Sequence, residues 1–450
     1  MEFLEKLPTI INKCKDKALK IINGQGREFF KDLNPLKHDS QEPNRESIIY
    51  KSDNIYAIKD LIDRGYRGKL DLIYIDPPFF TMNNFNNKAE VLRAGERLVV
   101  EYWAYTDVWK DGFIEYIEML TIRLFMMKEL LSDRGSIYVH LDYRSVHYIK
   151  VVMDHIFGHD RFLNEIIWSY KSGGSSQKQY SKKHDTILLY SKSENYIFNP
   201  QKEKSYNRGY KPYRFKGVKE YEDEKGWYTL VNLKDVWDIN IIGRTSKERV
   251  GYGTQKPEEL LERIILVSSN EGSLVGDFFA GSGTSAIVAE KNKRSWIVSD
   301  MGPASLATII KRLNNIGAKP SMIMHNDKVG NSGLVEFEKT LYIHGGKIII
   351  YIELKNYKIS LDEISFIKNH RETIEEAGKV EALNMLDYIG LGYLYKEDNF
   401  KIIWENHRDK HGLMLDKTFK ITIADLGYSE LYFKFVDIFG QVFYEEIKIR

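Results

Sequence analysis

The sequence has little cysteine, little proline and no long apolar run. Cys14 is the only cysteine among 450 residues, which excludes an internal disulfide and any zinc or iron–sulfur site built from several cysteines. Ten prolines beside 43% hydrophobic and 29% charged residues exclude collagen-like and disordered classes. No stretch of eighteen apolar residues occurs, and residues 1–20 mix charges into their apolar positions. We therefore predict no membrane span and no secretory leader, and we expect a cytoplasmic protein.

The charge is balanced overall but uneven along the chain. The 66 Lys and Arg and the 64 Asp and Glu give a formal net charge of +2. Residues 166–219, however, contain twelve Lys or Arg and three Asp or Glu, a net charge of +9, together with ten aromatic residues. This mixture favours contacts to phosphates combined with base stacking. A solvated surface face is the alternative, and composition alone does not decide between them.

The length predicts two or three domains, and the chain pattern predicts an α/β core. Apolar runs alternate with helical periodicity, which is typical of a parallel sheet. The predicted strands are 47–51, 70–75, 135–141, 272–279 and 295–299, and the predicted helices are 55–64, 112–131, 146–157, 258–268 and 285–290. From about residue 319 the pattern is richer in strands, at 347–354, 400–404, 419–423 and 431–436. We predict a separate C-terminal α+β domain there.

Four acidic residues stand just after predicted strands: Asp53, Asp76, Asp142 and Asp300. Ligands of open α/β sheets bind outside the carboxyl ends of the strands, so these four side chains could converge on one crevice. The alternative for each is that the carboxylate caps the helix that follows.

A glycine turn links the fourth predicted strand to a helix. Gly281-Ser-Gly283-Thr-Ser-Ala286 fits the pattern G-x-G-x-x-A, and Asp300 follows at the end of the next strand. Glycines let a nucleoside cofactor approach the backbone, and the acid would accept hydrogen bonds from ribose hydroxyls. The pattern suits NAD as well as S-adenosylmethionine, and a tight structural turn is a third explanation.

A second turn, Asp76-Pro77-Pro78-Phe79, follows the strand at 70–75. Two successive prolines fix the backbone and remove two N–H donors, which leaves a rigid turn of acceptors beside an aromatic ring. Asp76 and the carbonyl of Pro77 could accept both N–H bonds of an exocyclic amine on a nucleobase, while Phe79 stacks on the base. The alternative is that the prolines merely end the strand.

Together these motifs resemble the S-adenosylmethionine-dependent amino methyltransferases of DNA. The catalytic turn at 76–79 precedes the cofactor motif at 279–283, which is the permuted, or beta, order of that family. Further segments resemble the family at Asp53-Asn54, at Thr254-Gln-Lys-Pro257 and at 135–143, 156–168 and 183–190, so the match spans about residues 47–315. Phe79 departs from the family's more frequent Tyr, and Phe278 stands where Pro is usual.

The resemblance implies a Rossmann-like methyltransferase fold with a central, mostly parallel sheet. It divides the matched part into a catalytic half (47–165), an inserted target-recognition region (166–253) and a cofactor-binding half (254–318). The N-terminal extension (1–46) and the predicted C-terminal α+β domain (319–450) lie outside the resemblance. The resemblance assigns base binding and catalysis to Asp76, Pro77, Pro78 and Phe79. It assigns S-adenosylmethionine binding to Asp53, Asn54, Lys256, Asp277, Phe279, Gly281, Gly283, Thr284 and Asp300, and it assigns no metal ligand.

The implied activity is site-specific methylation of adenine N6 in double-stranded DNA after the base is flipped out. Asp rather than Ser at position 76 favours adenine N6 over cytosine N4, which is the alternative target. The resemblance extends to type III modification subunits, so a restriction subunit and a second copy of the chain are candidate partners. Two other functions stay open, a methyltransferase-like DNA-binding subunit without turnover and an NAD-dependent dehydrogenase; the latter leaves the turn at 76–79 unexplained.

Overall fold

The computed structural model describes residues 2–24, 34–37, 46–93, 96–171, 175–243, 245–325, 334–358, 375, 382–395, 399–408, 415–438 and 441–450. The helices within these ranges are α1 (Glu2–Ile22), α2 (Asn54–Asp63), α3 (Phe113–Leu130), α4 (Val146–Phe157), α5 (Glu258–Ser268), α6 (Thr284–Lys291) and α7 (Pro303–Asn315). The strands are β1 (Asn34–Lys37), β2 (Ser47–Lys51), β3 (Leu70–Ile75), β4 (Asn84–Arg93), β5 (Glu96–Thr106), β6 (Leu131–Leu141), β7 (Phe162–Ser169), β8 (His184–Ser191), β9 (Lys202–Tyr206), β10 (Glu220–Asp223), β11 (Gly226–Asn232), β12 (Val236–Asp238), β13 (Leu274–Asp277), β14 (Ser295–Asp300), β15 (Met322–His325), β16 (Val335–His344), β17 (Lys347–Tyr357), β18 (Leu386–Tyr395), β19 (Asn399–His407), β20 (Thr418–Ala424), β21 (Glu430–Asp437) and β22 (Val442–Lys448).

The strand and helix predictions for the α/β core are confirmed, with ends that shift by a few residues. The sequence did not predict the hairpin β4–β5 or the small sheet β10-β11-β9. The small sheet lies in the basic region, and its strands are short and lack a regular apolar alternation. Contacts between strands hold it together, such as the pairing of Tyr228 with Tyr206 and the Lys204 ammonium 4.6 Å from the centre of the Tyr228 ring.

One large sheet forms the centre of the described chain. Its strand order is β12-β7-β8-β6-β3-β13-β14-β2-β15-β1-β19-β18-β21-β22, and the run from β6 to β15 is parallel throughout. Strand β3 shows why the core strands are almost wholly apolar. Leu70, Ile73 and Ile75 pack on one helical layer and Leu72 and Tyr74 on the other, so both faces are buried. The prediction of an α/β fold with a mostly parallel sheet is confirmed.

The helices cover the two faces of the sheet as separate groups. Helices α1 to α4 pack on one face, and helices α5 to α7 pack on the other. The neighbouring strands β3 and β13 pair through Leu72 and Val275. Because β3 leads on to α3 and β13 leads to α6, the chain leaves these two strands toward opposite faces. A crevice therefore opens at their carboxyl ends, where α/β sheets bind ligands.

The C-terminal strands continue this sheet and add a second one. Strands β18, β21 and β22 lie at its far edge, and β16, β17 and β20 form a three-stranded sheet. Apolar residues of both sheets, including Ile350 and Phe433, form a third core. The described residues of 319–450 are mainly strands with one short 3-10 helix, and β15 pairs in parallel with β2 inside the central sheet. The domain boundaries themselves stay predictions.

No helix in the described part of the chain combines the length and the apolar character needed to cross a bilayer.

Substitutions in helix α5 test the packing of α5 to α7 on their face of the central sheet. Ile264 is fully buried, so Ile264→Ala should lower the free energy of unfolding by about 2–5 kcal/mol through lost burial and a residual cavity. The control Glu262→Ala on the exposed side of the same helix should change it by less than about 0.5 kcal/mol. Urea unfolding followed by circular dichroism measures both. Equal effects of the two substitutions would contradict the assigned packing.

Candidate functional site

A cavity of about 320 Å³ lies at the carboxyl ends of β2, β3, β13 and β14. It brings together residues that are more than two hundred positions apart in the chain. All but one of the predicted site residues line it: Asp53, Asn54, Asp76, Pro77, Pro78, Phe79, Lys256, Asp277, Phe279, Gly281, Thr284 and Asp300. Its size suits a small-molecule ligand.

The turn after β3 presents a carboxylate beside an aromatic ring. Oδ2 of Asp76 accepts a hydrogen bond from the ammonium of Lys256, which also lies 5.5 Å from the centre of the Phe79 ring. Oδ1 of Asp76 is buried and has no hydrogen-bond partner among the described residues. An acceptor that the fold leaves unpaired is available to a ligand donor. The sequence assigned Lys256 to the cofactor, whereas its side chain contacts the catalytic turn.

A buried carboxylate that the sequence analysis missed shapes the chain after Phe79. Asp107 accepts hydrogen bonds from the backbone N–H groups of Phe80 and Thr81, at 3.2 and 2.6 Å, and from Nε1 of Trp109, at 2.8 Å. Phe80 and Met82 have positive φ angles of 64° and 55°, which side chains rarely adopt. Asp107 therefore stabilises a strained segment, which no local sequence pattern predicts.

The glycine turn is tied to the end of the next strand. The N–H of Gly281 donates to Oδ2 of Asp300 at 2.7 Å, and the N–H of Gly302 donates to Oδ1 at 2.6 Å. Burial raises the pKa of Asp300, and these two hydrogen bonds oppose the increase. Asp300 thus holds the turn in shape at the cavity wall, and its contact with ribose stays a prediction.

Gly283 is the predicted site residue that does not line the cavity. It has a φ of +73°, and a Cβ atom there would lie 2.5 Å from Cγ1 of Ile309 on α7. Glycine is needed here because of helix packing and backbone conformation. The next residue, Thr284, donates from its hydroxyl to the carbonyl of Lys256 at 3.2 Å, which joins the turn to the segment before α5.

Asp277 is fully enclosed at the end of β13. Its Oδ1 accepts from the N–H of Phe279 at 3.0 Å, and its Oδ2 accepts from the Ser285 hydroxyl at 2.6 Å. Burial raises the pKa of Asp277 to about 7, the hydrogen bonds oppose this, and the charges of Asp76 and Asp300 add to it. Both carboxyl oxygens of Asp277 already accept hydrogen bonds within the protein, so the side chain holds the backbone of the turn in place. Contact between Asp277 and the cofactor stays a prediction.

Arg123 of α3 and Asn54 tie the first strand–helix turn to its neighbours, Arg123 to α3 and Asn54 to the residue after β13. Asp53 caps α2 by accepting from the N–H of Ile55 at 2.9 Å, and it also accepts from Nη2 of Arg123 at 2.9 Å. Asn54 donates to the carbonyl of Phe278 at 2.7 Å and accepts from Nε of Arg123. Arg123 was not predicted, although a basic residue in the apolar pattern of α3 was a usable signal.

Asp142 does not converge on the cavity, so the expectation that all four strand-end acids could meet there is wrong for this residue. Its Oδ1 accepts from the N–H of Arg144 at 2.8 Å, and its Oδ2 pairs with the guanidinium of Arg144. The turn before α4 uses the carboxylate, whereas α4 itself begins after Ser145 without a side-chain cap, so Asp142 does not cap the helix either.

His140 on β6 is another residue that the sequence analysis missed. It is fully buried between Asp76 and Asp185, and an ionisable residue inside an apolar strand was the available signal. Among the described residues, no group of three or more His, Cys, Asp or Glu side chains is placed to hold a metal ion.

Fold and cavity together define a class: a Rossmann-like α/β enzyme whose cavity is lined both by a glycine turn and by a rigid acceptor turn. A nucleoside cofactor fits the wall at the glycine turn, because Gly281, Thr284 and Asp300 line the cavity there. The DNA methylase family matches residues 70–311. The chain belongs to this family, which confirms the prediction of an S-adenosylmethionine-dependent DNA methyltransferase.

Three relatives illustrate the similarity. The type II methyltransferase M1.MboII of Moraxella bovis is 37% identical over 264 residues, 54% of this chain and 88% of the relative. M.EcaI of Enterobacter cloacae, also a type II methyltransferase, is 28% identical over 414 residues, 77% of this chain and 87% of the relative. The DNA adenine methyltransferase YhdJ of Escherichia coli K12 is 28% identical over 278 residues, 60% of this chain and 84% of the relative.

Asp300→Ala should weaken S-adenosylmethionine binding by about 1.5–3 kcal/mol, the scale of hydrogen bonds to a charged group, because it removes the acceptor that holds Gly281. DNA affinity should change less. Calorimetric titration measures the cofactor affinity, and Asp142→Ala, a strand-end acid outside the cavity, is the matched control. An unchanged affinity in Asp300→Ala would remove Asp300 from the cofactor site.

Asp277 predicts a pH dependence of stability. Its carboxyl group ionises near pH 4 in the unfolded chain but near pH 7 in the folded protein, so its contribution to stability is present at low pH and lost as the pH rises toward 7. Asp277→Asn cannot ionise and should not lose stability in this way. Between about pH 4 and pH 7, the free energy of unfolding of the variant should therefore rise relative to that of the wild type by about 1.4 kcal/mol per pH unit. Urea unfolding across pH measures it, with the exposed Asp111→Asn as control. A difference that does not change with pH would contradict the buried neutral carboxyl.

Proposed function

We propose that this protein transfers the methyl group of S-adenosylmethionine to adenine N6 in double-stranded DNA, at a specific sequence and on a flipped base. The observation that carries the proposal is the single cavity shared by the Asp76 turn and the glycine turn. One turn supplies an acceptor and a stacking ring, and the other supplies the wall for a nucleoside cofactor. A dehydrogenase would not need the Asp76 turn, and a binding subunit without turnover would not need both turns.

The chain's own residues serve mainly to bind and orient. When bound, S-adenosylmethionine supplies an electrophilic methyl group. Asp76 Oδ1, buried and without a partner among the described residues, accepts an N–H of the target amine, and Phe79 stacks on the base. Holding the amine in line and offering an acceptor for its developing positive charge supplies most of the rate enhancement.

Adenine is the preferred target for two reasons. Asp rather than Ser at position 76 resembles the adenine-specific members of the family, and YhdJ, which matches 60% of this chain, is named a DNA adenine methyltransferase. Cytosine N4 is the alternative that product analysis distinguishes.

The basic segment 175–183 lies at the same edge of the central sheet as the cavity, which supports DNA contact. Strand β8 runs antiparallel to β6, and Thr186 pairs with Leu141, so the segment before β8 lies at the carboxyl edge of β6, next to β3. Tyr180 is 98% exposed, and the Lys182 ammonium lies 4.0 Å from the centre of the Tyr143 ring. Some of the Lys and Arg side chains of 166–219 are engaged within the protein and not with phosphates, since Lys192 donates to the carbonyl of Leu131 and Lys204 pairs with Asp223. Target recognition by residues 166–253 is therefore centred on 175–183.

The remaining candidate partners rest on the resemblance to type III modification subunits. A restriction subunit and a second copy of the chain are candidate partners, and a cytoplasmic location is what a DNA substrate requires. Co-purification and light scattering test the two partners.

Asp76→Ala should lower turnover at least about 100-fold while S-adenosylmethionine affinity stays near wild type, because the carboxylate contacts the target amine. Methylated nucleosides from treated DNA are measured by mass spectrometry, which also separates N6-methyladenine from N4-methylcytosine. Asp111→Ala is the control on an exposed acid. A variant that keeps a tenth of wild-type turnover would refute the role of Asp76.

Replacing both Lys182 and Lys183 by Gln should weaken binding to all DNA sequences similarly and should flatten the dependence of log affinity on log salt by about 1–2. The reason is that phosphate contacts release counterions. Fluorescence anisotropy at several salt concentrations measures the slope. The matched control is the double substitution of Lys417, just before β20, and Lys420, within β20, by Gln; both side chains are exposed. An unchanged slope would move DNA contact away from this segment.

A further inference from the structure

One face of helix α7 holds the glycine turn. Ser305, Ile309 and Arg312 are spaced i, i+4 and i+7, so their side chains lie on the same side of the helix. The Ser305 hydroxyl donates to the carbonyl of Gly281 at 2.6 Å, and Ile309 packs directly against the turn. Arg312 completes the row, because its Nη1 donates to the carbonyl of Ser282 at 3.0 Å. One face of the helix therefore holds the turn through two carbonyl groups and one packing contact.

Arg312 is a buried charge with a defined set of acceptors. Its side chain is 5% exposed, and its Nη2 donates to Oε1 of Glu258, at the start of α5, at 3.1 Å. Burial lowers the pKa of the Arg312 guanidinium, and the carboxylate of Glu258 opposes this decrease. An arginine side chain keeps its proton and has only donors, so every oxygen that it contacts must accept.

This direction decides how the Thr284 hydroxyl is used. Oγ1 of Thr284 lies 2.8 Å from Nη1 of Arg312, so one of its lone pairs accepts from the guanidinium. Its hydrogen is donated to the carbonyl of Lys256 at 3.2 Å. The hydroxyl of Ser282, 3.2 Å away, must then be the donor to the second lone pair. The Thr284 hydroxyl is thereby saturated, and it joins the glycine turn to the segment before α5.

Lys256 carries this connection to the acceptor turn. Its carbonyl accepts from Thr284, and its ammonium donates to Oδ2 of Asp76. The side chains of Lys256 and Asp76 are 15% and 16% exposed, so solvent screens their pairing only weakly. A continuous connection thus runs from Arg312, through Thr284 and Lys256, to the carboxylate that the proposed function gives to the target amine.

We propose that Arg312 is a positioning residue for methyl transfer. Through Thr284 and Lys256 it fixes the glycine turn, at which the cofactor binds, relative to Asp76. Arg312 does not line the cavity, so it acts only through these neighbours. The inference rests on the proposed methyl transfer and adds a residue that neither turn supplies.

Alignment is what such a connection controls. Methyl transfer requires the amine nitrogen, the methyl carbon and the sulfur to lie in line, and a displacement of about 1 Å can cost on the order of 100-fold in rate. The glycine turn follows β13 and the acceptor turn follows β3, and each holds one of the two reactants. A second connection between the turns, besides the pairing of the strands, limits their relative movement. Its loss should therefore affect the rate with both ligands bound more than the affinity for either ligand.

The first test uses Thr284→Val, which keeps the shape of the side chain and removes the hydroxyl. The single-turnover rate at saturating S-adenosylmethionine, measured by rapid quench on a DNA duplex that the wild type methylates, should fall at least about 10-fold. The affinity for S-adenosylmethionine, measured by calorimetric titration, should fall less than about 3-fold, because the saturated hydroxyl has no hydrogen bond left for the cofactor. Thr284→Ser restores the hydroxyl and should regain most of the lost rate.

A double substitution tests the route of the connection. Lys256→Met removes the ammonium that holds Asp76, and it should slow the reaction by itself. In that background Thr284→Val should slow the reaction further by less than about 2-fold, because the connection to Asp76 is already broken. If Thr284 acted only on the glycine turn, the two losses would multiply.

Arg312→Met tests the start of the connection, since it removes the guanidinium and keeps much of the apolar stem. It should lower the single-turnover rate at least as much as Thr284→Val. The matched control is Lys291→Gln, because Lys291 is 44% exposed and pairs with the other carboxylate oxygen of Glu258. This control should keep the wild-type rate. Melting temperatures establish that each variant is folded.

The outcomes separate the two proposals. Wild-type protein that methylates no DNA would refute the proposed function itself. An active wild type with a Thr284→Val variant of unchanged single-turnover rate would overturn the role of Arg312, and so would losses that multiply in the double variant. If Arg312→Met does not fold, Thr284→Val and its combination with Lys256→Met decide alone.

Discussion

The pairing of β3 with β13 is the constraint on which the site depends. Leu72 pairs with Val275 and Ile73 with Gly276, which joins two segments about two hundred residues apart. Gly276 is required there, because a Cβ atom would lie 2.6 Å from Cδ2 of Leu70. Since the chain leaves the two strands toward opposite faces of the sheet, their carboxyl ends enclose a crevice. The Asp76 turn and the glycine turn meet only because of this pairing.

The crevice concentrates carboxylates, and the fold gives most of them a partner. Asp53 is held by Arg123, Asp277 by Ser285 and a backbone N–H, and Asp300 by two backbone N–H groups. Buried carboxyl groups without such partners would cost several kcal/mol each. Asp76 is the exception, because one oxygen is paired with Lys256 while the other is buried and has no hydrogen-bond partner among the described residues. Pairing therefore satisfies three of the acids and leaves one oxygen of the fourth open to a ligand donor.

Much of the core was predictable because its signals are local. Strands buried on both faces require apolar runs, and helices packed on a sheet require apolar residues at helical spacing, so both are visible in the sequence. The proline turn and the glycine turn are visible for the same reason, since each needs particular residues at consecutive positions. The hairpin β4–β5 is local and was missed, and Arg123 had a signal in the apolar pattern of α3. The partners of Asp107, Arg123 and Lys256 were not predictable, because each depends on contacts between segments that are separated in the chain.

The sequence by itself determined the α/β alternation, the two turns proposed to carry the chemistry and, through their order, the resemblance to DNA amino methyltransferases. The tertiary structure alone decided which strand-end acids share the cavity, why Gly283 must be glycine and that His140 is buried between Asp76 and Asp185. The physical reason is that backbone conformation and burial patterns are properties of neighbouring residues. The partner of a buried charge, in contrast, is fixed by the register of strands that the chain brings together from a distance.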